Sequence, residues 1–150
     1  MLHDAILGTW ELVSYVAHDD HGGPITHPLG PEALGLIMYT GDGYMSAQLM
    51  RPDRPAFDRP EADGGTPEEA AAAATGYLAY SGPFQVDEST GVVHHEVRVS
   101  LLPNWLNGTQ LRHAKLDGDH LTLSASTEPT PGIETISTLL WKRAPEHATD

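Results

Sequence analysis

Apolar and polar residues alternate with a period of two along most of this chain. From Gly91 the run reads GVVHHEVRVSLLPNW, in which Val93, His95, Val97, Val99 and Leu101 alternate with Val92, His94, Glu96, Arg98 and Ser100. A strand sends successive side chains to opposite faces. The first set is apolar except for His95, so the pattern predicts His95 as the one polar side chain this strand turns inward. A lone inward histidine is usually a satisfied structural residue. What matters is which other polar groups meet it inside.

The same alternation predicts a strand opened by Gly8-Thr9-Trp10, with Trp10, Leu12, Ser14 and Val16 on one face and Glu11, Val13, Tyr15 and Ala17 on the other. Pro24 to His27 reads as a short edge strand, where proline is tolerated. Leu34 to Thr40 and Tyr44 to Met50 flank Gly41-Asp42-Gly43, a tight-turn signal. The second of these runs places Tyr44, Ser46, Gln48 and Met50 on one face and Met45, Ala47 and Leu49 on the other. Further strands are expected over Leu78 to Val86, Val92 to Leu101, Thr109 to Leu116, His120 to Ser126 and Ile133 to Lys142. Turn residues join them, and Glu146 to Asp150 reads as a frayed tail.

One helix is expected. Thr66-Pro67-Glu68-Glu69 supplies a cap, a proline at the first helical position and a capping-box glutamate, and the alanines that follow extend it towards Gly76. Before it, Arg51 to Gly65 is rich in Pro, Asp and Gly and reads as a loop. Its Arg51, Arg54 and Arg59 are expected either to be solvated or to cover the mouth of a barrel. Many short strands at close spacing with one short helix predict an all-β fold, a single antiparallel barrel of about 8 to 10 strands. A length of 150 residues suits one domain over the whole chain.

Composition narrows the partners. The net charge is −13, with eight Lys and Arg. So acidic a surface repels phosphate backbones and anionic lipid, which argues against nucleic acid and membrane partners. The chain has no cysteine and opens without a basic, apolar leader, so a cytoplasmic location is expected. No apolar run approaches the ~18 residues of a membrane span.

Gly8-Thr9-Trp10 matches the GxW signature of lipocalins, whose tryptophan plugs the closed end of a barrel. With YMSAQLMRPDRP (Tyr44 to Pro55), GYLAYSGPF (Gly76 to Phe84) and PNW (Pro103 to Trp105), the chain resembles the bacterial and fungal lipocalin-like domain family of the calycin superfamily. The resemblance runs from about Leu7 to Arg143 and implies a lipocalin-like barrel. Some lipocalin-like barrels in natural-product pathways act as isomerases or cyclases without any cofactor, so the resemblance implies that chemistry as one alternative. The family often carries a His-His pair in the strand before PNW. That pair falls here on His95 and Glu96, so His95 alone matches.

A small barrel either fills with side chains or holds one small ligand. Leu116, Leu121 and Leu123 are expected to face inward. Counting back by twos from Leu116 brings Ala114, Arg112 and Gln110 to the same face. An inward arginine stays charged and requires an acceptor or an anionic ligand. Ser14 and Gln48 are expected to share the lumen, with Tyr39, Tyr80 or Trp105 near a mouth. His95 and Arg112 are the candidate catalytic pair, His95 as acid or base and Arg112 as oxyanion partner. Ser14, Tyr39, Gln48, Tyr80, Trp105 and Gln110 are the candidate ligand contacts.

Rival chemistries lack their patterns. His94, His95 and Glu96 alternate between faces and cannot share one ion, and no HExxH or GxSxG motif is present. No metal or other cofactor is expected. The first reading is a binding or carrier protein for a small, hydrophobic or amphipathic molecule with a polar or anionic end. The second is a cofactor-independent isomerase or cyclase, and the third a plugged barrel acting as an interaction module. A homodimer is plausible, because a twin can cover an apolar rim.

Overall fold

The structure, a computed structural model, describes residues 1–148, without the side chains of 129 and 130. Thr149 and Asp150, the end of the expected tail, lie outside the described residues. In chain order the elements are α1 (Leu2–Ala5), β1 (Gly8–Asp19), β2 (Leu34–Tyr39), β3 (Tyr44–Met50), α2 (Pro67–Thr75), β4 (Tyr77–Asp87), β5 (Val92–Glu96), β6 (Val99–Ser100), β7 (Thr109–Asp117), β8 (His120–Thr130) and β9 (Ile133–Arg143). A short 3-10 turn at Pro103–Trp105 lies between β6 and β7. The sheet order is β3-β2-β1-β9-β8-β7-β5-β4, and β3 pairs with β4, which closes an eight-stranded antiparallel barrel. The short β6 is an additional strand beside β4. The segment expected as an edge strand at Pro24 to His27 makes a single bridge, Thr26 to Ala17.

The two ends of the barrel differ in their connections. Tight turns at 40–43, 88–91 and 118–119 close one end, where α1 also sits. Trp10 is fully buried there, and its indole N–H donates to the carbonyl of Ile6 at 2.9 Å. The guanidinium of Arg143 lies 4.1 Å from the centroid of the Trp10 ring. It donates to the carbonyls of Leu7 and Ala5. A cation over an indole face, with its N–H groups spent on backbone carbonyls, ties both chain ends across this bottom. The other end carries the three long connections, 20–33, 51–76 and 97–108, together with the short turn at 131–132.

Two bulges decide which residues face the lumen. On β1, Leu12 pairs with Trp141 but Ser14 pairs with Leu140, so Val13 is an extra residue and stands 49% exposed. One extra residue exchanges the faces of everything after it. Tyr15 and Ala17 therefore take the inner face, and Ser14 does not. On the strand after Gly91, His95 pairs with Phe84 while Val99 pairs with Ser81, again leaving one extra residue. Val93, His95 and Val97 keep the inner face, as the alternation predicts. Val99, expected inward, is turned out at 63% exposure, and Leu101 is exposed as well.

α2 has the predicted start. The Thr66 hydroxyl accepts from the Glu69 N–H, the Glu69 carboxylate accepts from the Thr66 N–H, and Pro67 is the first helical residue. No residue of α2 is buried, so it is held by its ends and by the preceding loop rather than by a core face. Arg54 donates to the Ala73 carbonyl at 2.8 Å and lies over the Tyr77 ring, while Arg51 donates to the Pro28 carbonyl. Arg59 pairs with Glu61. Arg54 thus fastens the loop to α2, Arg51 fastens it to the 20–33 connection, and Arg59 pairs within the loop itself.

Candidate functional site

Inside the barrel is a cavity of about 450 Å³, within the range of small-molecule sites. Apolar side chains make most of its wall, among them Ile37, Leu49, Leu78, Leu123 and Leu139. Five of the eight residues expected at a site line it: Tyr80, His95, Trp105, Gln110 and Arg112. They come from β4, β5, the Pro103–Trp105 turn and β7. The β5–β7 pairing sets His95 opposite Gln110 and Val93 opposite Arg112, so the counting by twos back from Leu116 holds along β7.

Tyr39 also belongs to this group, but not at a mouth. It is 1% exposed and lies beneath the cavity, edge-on to Phe84. Its hydroxyl is 2.7 Å from Nε2 of His95, while the Tyr80 hydroxyl is 2.8 Å from Nδ1. His95 is fully buried between the two phenols. Burial first, then the positive charge of Arg112 and the neighbouring His94, lower its pKa to about 3, so the ring is neutral at physiological pH.

The donor count fixes the direction of this chain. Tyr39 has no other partner than His95 among the described residues. If Nε2 carried the proton, the buried Tyr39 O–H would lack an acceptor, at a cost of roughly 1–3 kcal/mol. Tyr39 therefore donates to Nε2, the proton of His95 sits on Nδ1, and Nδ1–H donates to the Tyr80 oxygen. The Tyr80 O–H is left without a protein acceptor, beside the cavity that Tyr80 lines.

Arg112 is the only charged side chain among the cavity residues. It donates to the Leu111 carbonyl at 2.9 Å, reaches Gln110 Oε1 at 3.4 Å and lies 6.0 Å from the centroid of the Trp105 ring. It forms no ion pair among the described residues, in a protein whose net charge is −13. Its charge acts on its neighbours. Burial raises the hydroxyl pKa values of Tyr15, Tyr39 and Tyr80, and Arg112 opposes that rise in each case. All three remain neutral phenols near pH 7.

Two expected contacts fall outside the site. Gln48 sits on the outer face of β3, because Met45, Ala47 and Leu49 fill the inner one, and it accepts a hydrogen bond from the Tyr77 hydroxyl. Ser14 is displaced from the lumen by the Val13 bulge. The residue that takes its place, Tyr15, lines the cavity and was missed. So was Trp141, fully buried on the cavity wall with an indole N–H that has no partner. A larger cleft of about 880 Å³ lies outside the barrel, between 51–58 and α2. Its Arg54 and Glu69 are engaged in holding α2, and its Arg51 donates to the Pro28 carbonyl. Among the described residues, no three His, Asp or Glu side chains come together as a metal site.

Comparison with known sequences agrees with the barrel and its plugged end. The chain belongs to the lipocalin-like domain family, whose sequence model matches residues 7–144. It is similar to the 4'-hydroxy-3'-methoxypropiophenone carrier protein of Aspergillus oryzae (strain ATCC 42149 / RIB 40). The two are 45% identical over an aligned region that covers 67% of this chain and 97% of that relative. A small-molecule binding or carrier role follows at that level of description. No helix among the described residues is long and apolar enough to cross a membrane.

Proposed function

We propose that this protein carries a small aromatic molecule in its barrel lumen, with the polar end of the ligand at Arg112. One observation carries the reading: a cavity of about 450 Å³, walled mostly by apolar side chains, holds a single charge, and no carboxylate among the described residues pairs with it. A half-buried cation without a counter-charge is costly, and a ligand oxygen lowers that cost. Trp105, Tyr80 and Tyr15 supply aromatic edges suited to a flat ligand. The relative's named cargo, an aryl ketone with a phenolic hydroxyl, has that shape and polarity. Isothermal calorimetry with 4'-hydroxy-3'-methoxypropiophenone is the test. One-to-one binding with the ligand recovered unchanged supports a carrier; absence of heat and of Trp fluorescence change with this ketone and its acetophenone analogues would sink it.

A second reading, cofactor-free isomerisation or cyclisation, is favoured by the Tyr39–His95–Tyr80 chain that ends at the cavity. Both ring nitrogens of His95 are occupied, so any proton it exchanged with a substrate would pass through Tyr80. Solvent deuterium appearing beside the ketone carbonyl at a rate that depends on His95 would favour this reading. The exposed Leu34, Leu36 and Met38 of β2 are where the expected homodimer would meet, and analytical ultracentrifugation checks it. The cysteine-free sequence supports a reducing, cytoplasmic setting.

A further inference from the structure

Around Arg112 the lumen presents donors, beside the hydroxyls of Thr109, Ser126, Thr127 and Ser137, which can donate or accept. Tyr80 O–H has no acceptor among the described residues, because its one partner, Nδ1 of His95, carries a proton and donates. The indole N–H of Trp141, on β9 across the barrel from Tyr80, also lacks a partner but is packed in the core and closed off from the lumen. Arg112 presents only N–H groups, and Gln110 Oε1, the nearby acceptor, is turned towards it. No Asp or Glu lines the cavity. The groups that titrate around the lumen are Tyr15, Tyr39, Tyr80 and His95, and all four are neutral near pH 7.

We infer that the lumen selects aromatic ligands through an ionised phenolic oxygen held by Arg112 and Tyr80. This rests on the carrier reading and adds the ligand class and two specificity residues. Tyr39 and His95 are positioning residues, since they act by turning the Tyr80 hydroxyl into a donor. A phenolate gains charge-assisted bonds that its neutral form cannot make. Discrimination of this kind is strong because a ligand lacking the oxygen leaves a buried donor unpaired.

The test compares 4-hydroxyacetophenone with 4-methoxyacetophenone, which has the same body and carbonyl but cannot ionise. Phenolate absorbs to the red of phenol, so the state of bound 4-hydroxyacetophenone is read directly. At the pH where free ligand is half ionised, the bound phenolate-to-phenol ratio is expected to rise about ten-fold, which amounts to one pKa unit. Arg112→Met should abolish that rise. Bound ligand that absorbs as neutral phenol, or a methyl ether that binds as tightly as the phenol, overturns this inference and leaves the carrier reading standing. Failure of both ketones to bind overturns the carrier reading itself.

Discussion

Tyr39 donates its buried hydroxyl proton to Nε2 of His95 across 2.7 Å, and this one bond sets the polarity of the site. It forces the imidazole proton onto Nδ1 and so turns Tyr80 outward as a donor. The first prediction is spectroscopic. The ¹⁵N resonances of His95 should show a protonated Nδ1 and an unprotonated Nε2 at pH 7. The opposite tautomer would reverse the direction of the chain.

Tyr39→Phe removes that donor and leaves Nε2 buried without a partner. The expected loss is about 1–3 kcal/mol of folding stability, read from urea unfolding midpoints. A variant as stable as the parent would mean that the bond contributes nothing net.

Acid should weaken the fold through His95. Its pKa falls from 6.5 to about 3 on folding, chiefly through burial. As pH drops below the unfolded value the unfolded chain takes up a proton that the native ring refuses, so stability present at neutral pH is lost between about 6.5 and 3. From pH 7 to pH 4 this group alone accounts for about 3 kcal/mol. His95→Gln should lack that part of the acid response. Equal losses in the two proteins would remove His95 as its source.

Arg112→Met should weaken ionised ligands far more than neutral ones. Hydrogen bonds to charged groups are worth about 1.5–3 kcal/mol, so the loss for a phenolate is expected at roughly ten- to a hundred-fold. Calorimetry at a pH above the ligand's ionisation measures it. Equal weakening of both classes would make Arg112 a structural residue.

Gly82→Ala tests the β5–β6 bulge. A Cβ at Gly82 would overlap the backbone carbonyl of Glu96 where the extra residue brings the two strands together. Backbone cannot yield as a side-chain tip does, so a loss of about 3 kcal/mol or more is expected from thermal unfolding. An unchanged melting temperature would show that the bulge can relax.

Local pattern was enough for much of this. Alternation placed Val93 and His95 inward, counting from Leu116 placed Arg112 and Gln110, and the Thr66 to Glu69 cap marked α2, because each depends on neighbours a few residues away. Gly8-Thr9-Trp10 marked the plugged end for the same reason. Ser14 and Gln48 were lost on different grounds. The Val13 bulge, which no composition signal announces, moved Ser14, and the apolar face of β3 won the interior over Gln48. The same blindness hid Val99's outward turn.

The alternation of residues therefore determined the barrel and the facing of each regular strand, since period two is a property of the chain itself. Tertiary structure decided the site. Tyr39, Tyr80 and His95 lie on β2, β4 and β5, and only closure of the barrel brings their polar atoms within 2.8 Å. The orphaned N–H of Trp141 is likewise a fact about surroundings. Hydrogen-bond satisfaction depends on every group within reach, and the sequence orders residues along the chain without fixing which of them meet in space.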